Sequence, residues 1–151
     1  MTAKKETATE SLDLAEMGSL DTSEMTVYRN GAALDWKWIF AGPGHEKAIS
    51  LRDKLLKKDI ARERKIDLAR TNGKKYKPEE KTPDDRLNDS VSLVLGRLLG
   101  WTPIAFGGKD YEYTEENARK LLKDPKYAWL ASQALEFIGD ENAFMNSSAK
   151  T

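Results

Sequence analysis

Between Met25 and Ala41 apolar and polar residues alternate, the period of a strand with one buried face. Asn30-Gly31 interrupts the alternation with the residue pair that best tolerates the positive backbone angles of a two-residue type I′ turn, so this stretch predicts a β-hairpin. The turn sets a register in which Arg29 opposes Ala32, Val27 opposes Leu34 and Met25 opposes Trp36. Met25, Val27, Leu34, Trp36, Trp38 and Phe40 then share an apolar face, and Thr26, Tyr28, Asp35, Lys37 and Ile39 share the other. A lone hairpin is marginal in water. Trp36, Trp38 and Phe40 therefore mark a face that packs under the following helix or against another subunit.

After the connector Ala41-Gly42-Pro43-Gly44-His45 the period lengthens to that of a helix. Glu46 to about Thr71 predicts one long helix, with Ile49, Leu56 and Ile60 in a narrow apolar stripe that thins beyond Ala61. Such a helix packs at its start and projects at its end. Residues 71–83 read as a charged linker with an Asn-Gly turn and two prolines. Asp84 to Leu99 predicts a second helix through Leu87, Val91, Val94, Leu95 and Leu98, closing at the turn Leu99-Gly100-Trp101-Thr102-Pro103. Ile104-Ala105-Phe106 and Tyr111-Glu112-Tyr113 flank Gly107-Gly108-Lys109-Asp110 and suggest a small hairpin or tight loop that brings Trp101, Phe106, Tyr111 and Tyr113 together. Thr114 is a helix N-cap, Asp124-Pro125 opens a last helix through Leu130, Ala134 and Phe137, and Gly139 ends it. The fold class is thus α+β, mostly α: a mobile arm over 1–22, a β-hairpin plus long basic helix over 23–72, a linker over 73–83, a C-terminal bundle of about three helices over 84–145, and a free tail over 146–151.

A chain of 151 residues with 39% hydrophobic and 33% charged residues has material for one modest core. No apolar run approaches the length of a membrane span, and the first residues lack the core of a signal peptide, which places the protein in the cytosol that made it. There are no cysteines and one histidine, His45, so disulfides, thiol chemistry and the usual metal sites are not expected. Net charge is zero but unevenly laid out, with −3 over residues 1–45, +6 over 46–81 and −3 over 82–151. The mixed signs of the basic band read as a solvated face. A nucleic-acid groove would need aromatic or base-reading groups between the positive charges, and only Tyr76 is near. The Gly42–Gly44 loop lacks the Gly-Lys-Ser/Thr ending of a phosphate loop. No nucleophile, acid–base pair or cofactor motif appears, so no enzyme activity and no cofactor are expected.

Trp101 after an apolar helix, an aromatic short loop, Glu116-Asn117-Ala118 opening a helix, Leu121-Leu122, a proline-started helix with Gln133 and Phe137, and the ending Asp140-x-Asn142-x-Phe144 together resemble the small tail assembly chaperones of long-tailed bacteriophages. The resemblance covers Leu87 to Phe144. It implies a non-enzymatic protein of the host cytoplasm, repeated in several copies, that binds the tape measure protein and keeps it soluble while tail tube subunits polymerise around it. Nucleic acid and membrane are not partners on this reading. Trp101, Phe106, Tyr111, Trp129, Phe137 and Phe144 are the expected partner-binding residues, with Trp36, Trp38 and Phe40 as an oligomer or packing face. The competing readings are a structural virion protein, either a head–tail connector or a tail component, and a nucleic-acid-binding module using the basic band from Lys47 to Lys81.

Overall fold

The structure, a computed structural model, describes residues 12–145. Eleven residues of the expected N-terminal arm and the expected tail 146–151 lie outside the described residues. A short 3-10 turn, Leu14–Glu16, precedes strands β1 (Thr22–Arg29) and β2 (Ala32–Ala41). Helix α1 (Glu46–Thr71), helix α2 (Pro83–Leu95) and strand β3 (Leu98–Trp101) follow. A small hairpin of β4 (Ala105–Phe106) and β5 (Lys109–Asp110) leads to helix α3 (Glu115–Lys123), the 3-10 turn Pro125–Tyr127, helix α4 (Ala128–Gly139) and a final 3-10 turn, Glu141–Phe144.

The expected hairpin is present, and its turn has Asn30 at φ 52° and Gly31 at φ 80°, the two positive angles that a type I′ turn demands. Its register holds only beside the turn. Arg29 opposes Ala32 and Tyr28 opposes Ala33, but an irregularity then shifts the pairing so that Thr26 meets Lys37 and Met25 meets Trp38, not Trp36. The shift is by two residues, so the side-chain faces are conserved. Met25, Val27, Trp36, Trp38 and Phe40 are all buried, while Leu34, inside the irregularity, is turned out to solvent.

A second departure concerns the segment from 84 onward. Helix α2 ends at Leu95, and Leu98–Trp101 is an extended strand that pairs antiparallel with β2, giving a three-stranded sheet in the order β1-β2-β3. The three C-terminal helices are therefore not a free-standing bundle. They pack on one another and lie over the sheet, and a single core joins Val27, Trp38 and Phe40 to Val94, Leu122, Leu130 and Phe144. The layer over the tryptophan face is built by these helices, not by the long helix that follows the hairpin.

Local signals position the helices as the sequence implies. Thr82 and Asp85 form a reciprocal capping box at α2, Thr114 caps α3 and the His45 Nδ1 accepts from the Lys47 N–H at the start of α1. Helix α1 is anchored to the body near its start. Lys47 Nζ donates to the Leu98 carbonyl at 2.6 Å, and Leu51 covers Gly96 so closely that a Cβ there would lie 2.9 Å from its methyl carbons. Beyond Leu51 most of the helix is exposed.

The sheet edges are occupied by side chains. Gln133 of α4 reaches the outer edge of β1, accepting from the Tyr28 N–H and donating to the Tyr28 carbonyl. The Leu98 carbonyl of β3 accepts from Tyr113 Oη as well as from Lys47. Such plugs protect strand edges from pairing with another chain.

Candidate functional site

Helices α2 and α4 each show a face at i, i+3, i+4 and i+7: Leu87, Ser90, Val91 and Val94 on one, Ala128, Ala131, Ser132 and Leu135 on the other. Residues so spaced stand one above another along a helix, and here the two rows face across a gap closed at one end by Leu122 and Pro125. Serine and alanine are too small to fill the space between the helices. The result is an apolar groove of about 350 Å³, open to solvent, with Lys123 and Asp124 at its rim. The Asp124 carboxylate is engaged as a cap, accepting from the Lys126 N–H at 3.0 Å.

The lining is almost wholly apolar. The lining carries two hydroxyls and no nucleophile activated by a base, and among the described residues no group of three His, Asp or Glu side chains could hold a metal ion. Two buried polar atoms, Trp38 Nε1 and Asn88 Oδ1, have no hydrogen-bond partner, but neither residue lines the groove. Among the described residues no helix is long and apolar enough to cross a membrane.

None of the six aromatic residues singled out from the sequence lines this groove. Five of them instead belong to an intramolecular file of rings. It runs from Phe144 through Phe137, Phe40, Trp38, Trp101 and Tyr111 to Phe106, with successive centroids 5.2 to 6.2 Å apart. Trp101 is stacked on Tyr111 and meets Tyr113 edge-on, and its Nε1 donates to the Tyr111 carbonyl, so the small hairpin is folded back over it. Phe144 is 2% exposed and has no ring surface to offer a partner, which removes it from the candidate contacts. Phe106, at 50%, is the ring of the six most open to solvent. Trp129 stands apart and half-buried, with the Arg29 guanidinium 5.7 Å from its ring. Trp36, Trp38 and Phe40, given from the sequence as an oligomer or packing face, are buried in the core of this chain.

Two cations hold the frame that carries the groove. Arg97, between α2 and β3, donates through Nε and Nη2 to the Ala41 carbonyl and through Nη1 to the Ile138 carbonyl, with its guanidinium 4.6 Å from the Phe144 ring. Burial lowers its pKa. Burial likewise lowers that of Lys47, with the nearby Glu115 pulling the other way. Both are anchors between elements, and neither faces the groove.

The signal that sequence reading passed over was the run of small residues on α4, Ala128, Ala131 and Ser132, set against aliphatic residues on α2 at matching spacing. No family model, no curated protein and no solved structure matches the chain.

Proposed function

We propose that the protein is a phage tail assembly chaperone whose C-terminal unit of three helices holds an amphipathic helix of the tape measure protein in the groove between α2, α3 and α4. The groove is the observation that carries this reading. Two helices that present rows at i, i+3, i+4 and i+7 across an unfilled gap offer a seat for the apolar ridge of a third helix. The resemblance over Leu87 to Phe144 spans all three helices and supplies the identity of the client. A shallow neutral seat binds weakly and without strict sequence demands, which suits a chaperone that works in many copies along one long client and must let go. The contacts move from the aromatic rings to Leu87, Ala128, Ala131 and Leu135, the exposed and half-buried residues of the lining, over a buried floor that includes Val91 and Leu122, with Phe106 as a flanking ring.

Co-expression with the tape measure protein tests it. The wild-type chain raises the soluble yield of the client and co-purifies with it, whereas Ala128→Trp, which fills the groove from its exposed rim, abolishes both while leaving the melting transition in place. No rise in yield and no complex with the wild type refute the proposal. Mass spectrometry of purified virions separates it from the connector reading, because an assembly chaperone is absent from finished particles.

A further inference from the structure

The mixed charges of α1 separate once they are placed around the helix. At about 100° per residue, Arg64, Lys57, Lys54, Lys65 and Lys58 fall within one arc of about 120°. Between residues 54 and 65 the arc holds one further residue, Ala61, and no acid. Asp59 and Glu63 lie on the opposite side. All five cations are exposed. Among the described residues none of the five is within ion-pair distance of a carboxylate, whereas neighbouring Arg52 and Arg62 are paired with Asp53 and Asp59. Lys58 feels the charge of Asp89, whose close partner is Lys81. The ribbon is about 16 Å long and lies on the largely exposed part of the helix beyond Leu51, with Lys58 near enough to α2 to interact with Asp89.

We propose that this ribbon is a contact surface for the phosphate backbone of duplex DNA. A protein partner would bring acidic groups together with apolar ones, and between residues 54 and 65 the arc offers it only Ala61, with the exposed Leu55, Leu56 and Ile60 outside it and Leu68 beyond its end. Single strands would need stacking rings, and the arc has none. A duplex backbone requires only a row of flexible positive charges and room to approach, which lysines and a central alanine provide. Binding is sequence-independent and separate from the α2–α4 groove.

Fluorescence anisotropy of a labelled 30-base-pair duplex with the full chain tests this. Neutralising about three to four phosphates gives a slope near −3 in log K against log salt, so binding weakens about 60-fold between 50 and 200 mM salt. Lys54→Gln/Lys58→Gln/Lys65→Gln abolishes it, and the equally charged control Lys109→Gln/Lys120→Gln/Lys126→Gln, away from both surfaces, retains it. Circular dichroism shows both variants folded, since the exchanged groups in α1 hold nothing together. No binding at 50 mM salt, binding indifferent to salt, equal losses in the two variants, or tighter binding of polyglutamate than of duplex would each overturn the proposal.

Discussion

Replacing Arg97 tests whether one guanidinium ties the sheet to the last helix. Its three donated hydrogen bonds reach Ala41 at the end of β2 and Ile138 near the end of α4, at 2.7 to 3.2 Å, and its face lies over Phe144. Hydrogen bonds from a charged donor contribute about 1.5 to 3 kcal/mol each when well buried, and a cation over a ring adds about 0.5 to 1 kcal/mol. The site is only partly buried, and the two donors on Ala41 share one acceptor, so the lower ends apply. Arg97→Ala then costs about 3 kcal/mol, a large fraction of the 5 to 15 kcal/mol that holds a typical domain folded. Arg97→Lys, with a point charge that cannot bridge two carbonyls, recovers about half of that loss. In urea at pH 7, with a slope near 2 kcal/mol per molar, the midpoint falls by about 1.5 M for alanine and about 0.7 M for lysine. A fall below about 0.5 M for alanine, or full recovery with lysine, would show that the planar fork is not the fastening.

Phe144→Ala empties a fully enclosed site against Phe137 and costs about 3 to 4 kcal/mol, read as a lowered midpoint in the same titration. Gly42→Ala places a Cβ against the Leu20 carbonyl, a backbone atom that cannot step aside, so its melting temperature drops sharply and amide exchange rises first around Leu20 and Thr22. Tyr113→Phe removes the hydrogen bond to Leu98 and costs about 1 kcal/mol at pH 7. Burial, then the charge of Glu115, raises the Tyr113 pKa above its ordinary 10.0. The folded state therefore keeps a proton that the unfolded chain gives up, and stability falls as pH climbs beyond that value. The gap between wild type and Tyr113→Phe accordingly narrows above pH 10, and a gap that stays constant or widens contradicts the assignment.

Those elements whose cause is local were legible. Asn30-Gly31 can do little other than turn, Thr114 announces a helix start, and Asp124-Pro125 opens a 3-10 turn that runs into α4. The bounds of α1 follow from His45 and from the Asn72-Gly73 that ends it. What was missed is set by distant neighbours. Leu98-Leu99-Gly100-Trp101 continues an apolar run and reads as helix, and only its partner β2, some sixty residues earlier, draws it out as a strand. The register slip beyond Tyr28 is likewise not written locally: it keeps Trp36 and Trp38 on the buried face and leaves Leu34 outside. The aromatic residues drew the functional reading because rings so often carry binding energy. In this chain they mostly face one another, and the open surface falls to small and aliphatic side chains whose significance depends on a gap between helices. The lysine ribbon was hidden for a different reason, since charges that alternate in sequence can be segregated around a cylinder.

The two extremities of the described chain are stitched side by side, with the Leu20 N–H donating to the Phe144 carbonyl at 2.7 Å and Ser23 Oγ to the Ala143 carbonyl at 2.6 Å. The polypeptide thus runs nearly as a closed loop, and its most expendable join is the stretch between α1 and α2. Circular permutants opened near Gly73, with a flexible tether joining the segments that flank Leu20 and Phe144, should keep the same architecture. Halves severed at that point should find each other again, which makes the molecule a natural split reporter.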